Sequence, residues 1–323
     1  MLGKLTAVGA LLAVFFTAAL ATAANYPERP VTIVVGFPPG GASDILARIL
    51  TDKLGSVLGQ PFVVDNRPGA GGNVAAAVVA HARPDGYTLL LGNNAILATN
   101  VSLYSKIDFD PVGDFAPISL VGTQANVLVV NNNVPAHTLA EVIALARANP
   151  GKLNFASSGY GLAAHLAGEL FKAEAHIDIV HVPYKGSAPA LQDVIAGNDQ
   201  MMFATTSGVM GFLANNQVRP IAVTTLKRTA VLPDIPTMDE AGLPGFEATT
   251  WHGLVAPAGT PKSVIEALHR ALAETLKDAG VRQKLAALGV DVAPDTPEEF
   301  AAYIKAEIPK WAAVIKASGA KVE

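Results

Sequence analysis

The chain has no cysteine among its 323 residues, which excludes disulfide staples, thiol chemistry and thiolate metal sites. Stability must come from ordinary packing. Aromatic residues are only 6% of the total, while small aliphatics and glycine dominate, a composition suited to helices packed closely on parallel strands. Positive charge is also short. With 23 Lys and Arg against 27 Asp and Glu, the net charge is −4, which argues against nucleic acid as a partner because phosphate binding needs a basic surface. Several catalytic signatures are missing as well. There is no G-x-S-x-G elbow, no H-E-x-x-H pair and no G-x-x-x-x-G-K loop. The glycine run 69–73 lacks the third glycine of a dinucleotide fingerprint. His176 and His181 are five apart, an odd spacing that sends strand side chains to opposite faces and excludes a local metal pair. No catalytic residue, metal or cofactor is expected.

What is present begins with a leader. Lys4 precedes an apolar run over 5–20, and Ala21-Thr22-Ala23 supplies the small-x-small pattern of a cleavage site. Residues 1–23 therefore read as a signal peptide and the protein as periplasmic; a membrane anchor is the alternative, but the run is shorter than the ~20 residues that span a bilayer. The remaining chain of about 300 residues is large enough for two cores.

Strand and helix patterns then alternate, the signature of βαβ units. Strands are expected over 31–35, 62–65 and 87–91, with helices over 43–58 and 73–81 between them. In the first helix Ile45, Leu46, Ile49, Leu50, Leu54 and Leu58 fall at helical spacing. A second unit follows, with helices over 139–148, 163–173 and 188–196 and strands over 153–156, 179–182, 200–204 and 220–224. Helices over 261–279, 281–288 and 297–317 close the chain. Two extended runs, 118–130 and 248–256, are too long and too apolar for loops and would form a two-stranded hinge. The expected fold is therefore α/β, with two domains joined by two extended crossings: 24–122 and 233–323 form a discontinuous first domain and 123–232 an inserted second.

Two segments share one design. Residues 31–43 read VTIVVGFPPGGAS and residues 152–161 read KLNFASSGYG, each a β-rich run that breaks into glycine and small polar residues before a helix. A helix start carries unpaired N–H groups and partial positive charge, so each loop lets an anion approach the main chain. Together they suggest two halves of a cleft that closes on a carboxylate.

Seven motifs then occur in order: YPERP at 26–30, FPPGG at 37–41, DNRPGAGG at 65–72, RPDGYTL at 83–89, SSG at 157–159 with His165-Leu166, VPYKG at 182–186, and PDIPT at 233–237 leading to Glu240-Ala241-Gly242. In this set and order the chain resembles the Bug family, the periplasmic solute-binding receptors of tripartite tricarboxylate transporters. The resemblance implies a fold of the type II periplasmic-binding-protein kind, a small organic anion as ligand, transporter membrane subunits as partners, and a monomer. Carried over by position, it places ligand contacts at Phe37, Gly40, Gly41, Ala42 and Ser43, with Asn93, Asn94 and Ala95 on the same rim. In the second domain it places them at Ser158, Gly159, Tyr160, His165, Tyr184, Lys185, Gly186 and Thr205.

Several of these have a second reading. Asp44 serves either the helix dipole or the ligand. Arg67 pairs with Asp65 or a neighbour, Lys185 neutralises a bound anion or is a surface lysine, and His165 packs or binds. Trp251 and His252 pack the hinge. Many relatives carry an acidic residue after the 200–203 strand, where this chain has Ala204, Thr205, Thr206 and Ser207; its absence favours a di- or tricarboxylate or an aromatic acid over an amino acid. Two other functions compete: an exported hydrolase or isomerase using Ser158 or Asp44, with His165 as base, and a sensing receptor that reports to a signalling partner.

Overall fold

The structure is a computed structural model that describes residues 26–159, 161–184 and 186–322. The leader, Tyr160 and Lys185 lie outside the described residues. The first sheet holds β1 (Val31–Val35), β2 (Phe62–Asn66), β3 (Thr88–Asn93), β4 (Phe115–Gln124), β10 (Thr250–Pro257) and β11 (Val290–Val292), in the order β11-β4-β10-β3-β1-β2. Strands β1, β2 and β3 are parallel, and β10 runs antiparallel between β3 and β4. The second sheet holds β5 (Asn126–Val130), β6 (Asn154–Ser157), β7 (Val180–Pro183), β8 (Met201–Thr205) and β9 (Arg219–Val223), in the order β7-β6-β8-β5-β9. Here β6 is parallel to β7 and β8, and β5 is antiparallel to β8 and β9. Each sheet thus has three parallel strands, the chain-first one in the middle, followed by an antiparallel neighbour.

Helices cover the sheets because strand side chains alternate between faces and both faces are apolar. In β1, Ile33 joins a core with Leu46, Leu50 and Leu54 of α1 (Ala42–Leu58), whereas its neighbour Val34 joins the opposite core with Ala75, Ala76 and Val79 of α2 (Asn73–Ala80). In β5, Val127 and Val129 face one way and Leu128 and Val130 the other. The core containing Val34 continues into the second sheet through Leu128, Phe155 and Phe203. Close approach is obtained at Gly253 of β10, where an added Cβ would sit 2.0 Å from Phe300 of α10 (Pro297–Ser318).

The expected strand 31–35 and helix 139–148 occur with their expected bounds, and the other expected strands and helices with end shifts of one or two residues. Five elements were not anticipated among the described residues: a 3-10 turn at Ala70–Gly72, a π-helical turn at Ala95–Thr99, α3 (Asn100–Leu103), α7 (Thr206–Ala214) and β11. The long run 118–130 is two strands rather than one, broken at Ala125 and divided between the sheets. Beside this break the chain returns. Ala248 N–H donates to Thr224 O at 3.0 Å on the second-sheet side, and Thr250 pairs with Gln124 on the first. Asn126 Nδ2 donates to Ala248 O at 3.0 Å, tying the two crossings together.

Candidate functional site

Parallel strands put all their C-terminal ends at one edge of a sheet, so the loops that follow β1, β2 and β3 cluster there, as do those after β6, β7 and β8. The helices that leave these loops share a property. Helix α1 starts at Gly41, α5 (Ala163–Ala175) at Leu162, α6 (Ser187–Ala196) at Gly186 and α7 at Thr205, and none has a side-chain cap. By contrast α4 (Leu139–Ala148), α9 (Ala279–Ala287) and α10 are capped by Thr138, Asp278 and Thr296. Side-chain oxygens normally satisfy first-turn amides, and here that role is left open at the strand-end helices. Helices α2 and α8 (Lys262–Lys277) also start without a side-chain cap.

The glycines themselves are not the free donors. Gly40 N–H donates to Asp44 Oδ2 at 2.8 Å, Gly41 N–H to Pro38 O at 3.3 Å, Gly159 N–H to Ser157 Oγ at 3.1 Å and Gly186 N–H to Ser158 O at 3.1 Å. With their amides bonded within the loops, Gly40, Gly41 and Gly159 shape them. Gly40 (φ 82°) and Gly159 (φ 141°) hold conformations closed to most side chains. The amides without an acceptor among the described residues are those of the next positions: Ala42, Ser43 and Asp44 in α1, and Ala163 and Ala164 in α5. In α6 they are Ser187 and Ala188, and in α7 Ser207 and Gly208, since Thr206 N–H goes to Ala125 O at 3.1 Å.

Asp44 belongs to the loop. Its side chain is 3% exposed and accepts from Arg48 at 3.1 and 3.0 Å, from Gly40 N–H and from Asn66 Nδ2 at 3.0 Å. The Arg48 hydrogen bonds, followed by those of Gly40 and Asn66, outweigh burial and hold its carboxyl down at about 2. Its charge is therefore balanced internally. Ser43 is buried, with Oγ 3.0 Å from Nε2 of His252, which stands opposite Asn93 in the β10–β3 pairing. Asn93 Oδ1 accepts from Ile96 N–H at 3.1 Å and so caps the π-helical turn that begins at Ala95. Asn94 is buried and makes no side-chain hydrogen bond among the described residues. Phe37 is half-buried and lies 3.7 Å from the position of a Cβ on Gly72. Arg67 pairs with Asp65 at 2.9 Å, as anticipated.

Under the second loop lies a stack that sequence reading missed. Phe155 and His181 stack with centroids 4.9 Å apart, and His181 and His165 at 4.0 Å. His181 Nε2 is 2.6 Å from Ser157 Oγ, and Gly161 N–H donates to His165 Nδ1 at 3.0 Å. The last bond fixes His165 as an acceptor at Nδ1, so it supports the loop instead of acting as base to Ser158. In this loop the serine beside a histidine is Ser157, which is fully buried. The pairing follows from register: Phe155 sits opposite His181 in parallel strands, and Ser157 is two residues on along the same face. Burial holds all three histidines neutral at pH 7, with His165 lowered to about 3, helped by His181 and Lys172, and His181 and His252 lowered to about 4.

The other expected positions fall nearby. Ser158 and Gly159 are half-buried in the same loop, and Thr205 is the half-buried N-cap of α7. The Tyr184 hydroxyl is turned to Asp193 Oδ2 at 2.5 Å and Asp199 Oδ2 at 2.7 Å, and its pKa is raised by burial and by those bonds. Two residues unforeseen in the sequence join the units. Gln124 Nε2 donates to Ser207 Oγ at 3.0 Å and to Leu288 O at 2.7 Å, and Leu103 of α3 packs so closely on Gly161 that a Cβ there would lie 2.5 Å from it. Among the described residues no group of three His, Asp or Glu is placed to hold a metal, and no helix is long and apolar enough to cross a membrane.

The family model described as "Tripartite tricarboxylate transporter family receptor" matches residues 46–320. Protein BugT of Bordetella pertussis is 37% identical over 320 residues, covering 99% of this chain and 98% of BugT. Among solved structures, R. palustris Rpa4515 with adipate is 38% identical with a TM-score of 0.75, covering 92% of this chain and 100% of that one. MatC from Rhodopseudomonas palustris with bound malate is 34% identical with a TM-score of 0.71, covering 90% and 100%. The matching family is one of receptors, not enzymes, and His165 Nδ1 accepts from Gly161, which removes the hydrolase reading together with its Ser158–His165 pair. The chain belongs to the tripartite tricarboxylate transporter receptor family, the family of the Bug proteins.

Proposed function

We propose that this protein is exported to the periplasm by cleavage of residues 1–23, and as a monomer captures a small organic carboxylate between its two α/β units for delivery to transporter membrane subunits. The observation that carries the proposal is the set of uncapped helix starts at the strand ends of both sheets, in a chain of this receptor family. Neutral amides at the positive end of a helix suit a carboxylate, and closure strengthens the bonds by excluding water. On this reading Phe37, Gly40, Gly41, Ala42, Ser43, Asn93, Asn94 and Ala95 form one jaw. Ser158, Gly159, Tyr160, His165, Tyr184, Lys185, Gly186 and Thr205 form the other, with Ser207 and Gly208 added and His165 acting through the loop. On this reading the inserted domain runs from Ala125 to 248–250 and not over 123–232, a division supported by the pairing of Thr123 with Trp251 in the first sheet and by the bonds of Pro236 O and Met238 N–H to Val223 of β9.

The relatives with adipate and malate support an organic acid as ligand. Thermal-shift measurements against a panel of organic acids test the proposal. A binder raises the midpoint with ligand concentration, and silence across mono-, di- and tricarboxylates contradicts it.

A further inference from the structure

The buried pair Ser43–His252 carries one hydrogen more than its surroundings accept. Ser43 Oγ and His252 Nε2 are 3.0 Å apart, and the Ser43 side chain makes no other hydrogen bond among the described residues. His252 Nδ1 is sealed from solvent and has no hydrogen-bond partner there. Burial keeps the ring neutral at pH 7, so it holds a single N–H, and the serine adds one O–H. One of these two hydrogens is spent between the side chains. The other has no acceptor.

Where the spare hydrogen sits follows from what surrounds each atom. If Ser43 donated to Nε2, the ring hydrogen would lie on Nδ1, a sealed donor without an acceptor, and an orphaned buried N–H is among the rarest features of a folded chain. If Nε2–H donates to Oγ, Nδ1 is a bare nitrogen and the spare hydrogen belongs to the serine hydroxyl. That hydroxyl stands in the first turn of α1. Its partner His252 is opposite Asn93, the last residue of β3, and two residues from the Thr250–Gln124 pair where the chain crosses between the sheets. The pair therefore lies at the edge of the first sheet where the second unit begins. In the second unit a similar pair is closed. Ser157 Oγ, 2.6 Å from His181 Nε2, has Gly159 O as an acceptor at 3.2 Å, so its hydrogen is used within the loop.

We infer that His252, as its Nε2–H tautomer, donates to Ser43 Oγ and thereby turns the Ser43 hydroxyl into a donor to an oxygen of the bound acid. His252 is then a positioning residue, acting through the serine. The inference rests on the carboxylate-receptor reading above. Two measurements test it: imidazole nitrogen NMR of labelled protein at pH 7, and calorimetric titration with the tightest binder of an organic-acid panel that includes adipate, malate and citrate. The nitrogen spectrum is expected to show His252 protonated at Nε2 and bare at Nδ1, with and without the acid. Ser43→Ala should weaken the acid roughly tenfold, the loss of a hydrogen bond to a charged group. His252→Leu should weaken it about threefold and add nothing to the loss already present in Ser43→Ala, because its effect passes through the hydroxyl. If His252→Leu does not fold, the nitrogen spectrum and Ser43→Ala still decide. A proton on Nδ1, or full affinity in Ser43→Ala, overturns the inference and leaves the receptor reading standing. Equal losses from His252→Leu with and without the serine hydroxyl overturn the positioning role. No heat with any acid of the panel overturns the receptor reading and the inference with it.

Discussion

Acidification should destabilise this protein well before its carboxylates protonate, through histidines that the fold keeps neutral. His165 and His252 are 2% and 3% exposed, and burial lowers their pKa values from 6.5 to about 3 and about 4. The unfolded chain therefore binds protons first. Stability from these groups is complete above pH 6.5 and is lost as pH falls toward the folded values. Each contributes up to about 1.4 kcal/mol per pH unit in that window, so at pH 5 each costs about 2 kcal/mol and the two together about 4. His181, stacked on His165 and lowered to about 4, acts in the same direction. Against a typical stability of about 5–15 kcal/mol this is a large fraction, equivalent to a fall on the order of 10 °C in melting temperature between pH 7 and pH 5. Thermal melts at pH 7, 6 and 5 measure it. His252→Gln keeps a donor for Ser43 but cannot titrate, so its acid slope should be shallower by about one proton. Coincident melting temperatures at pH 7 and 5, or a wild-type slope in His252→Gln, would refute the reasoning.

Asp44→Asn should lower stability by about 1–2 kcal/mol at pH 7, since the lost ion pair is partly screened through exposed Arg48. Its effect should vanish below about pH 2, where the wild-type carboxylate is itself protonated; urea unfolding at several pH values decides. At His165, asparagine can offer an oxygen where Nδ1 accepts from Gly161, whereas phenylalanine cannot. His165→Asn should therefore retain most ligand affinity and His165→Phe lose about tenfold, measured by calorimetry, and equal losses would show that the hydrogen bond does not position the loop. Gly253→Ala should be destabilised by about 1–3 kcal/mol in chemical denaturation because its Cβ would overlap Phe300.

The regular elements were legible where a single face is apolar. Leu46, Leu50 and Leu54 mark α1 at helical spacing, and Thr138 with Glu141 marks the start of α4 by a capping box. Helix α7 was not legible, because it buries little beyond Thr206 and Val209 and contains Gly208 and Gly211, so neither pattern nor propensity announces it. The break at Ala125 is hidden for a different reason: β4 and β5 are both buried strands of different sheets, and the Gln124 and Asn126 that flank the break are themselves buried and carry no glycine or proline turn signal. At the site, composition located the loops but not the hydrogen bonds within them. That Gly40 and Gly159 spend their amides on Asp44 and Ser157 depends on side-chain placement. The His165–His181–Ser157 arrangement depends on strand order, which residue spacing within one segment does not contain.

The central claim is that an organic carboxylate is held by first-turn amides from both units. Backbone amide NMR of labelled protein titrated with its tightest-binding acid tests this most directly. The account predicts that the largest shift changes, beyond any from the loop itself, fall on Ala42, Ser43, Ala163, Ala164 and Ser207, and are absent with the corresponding amide of the same acid. Shift changes confined to one unit, or equal responses to the uncharged amide, would contradict it.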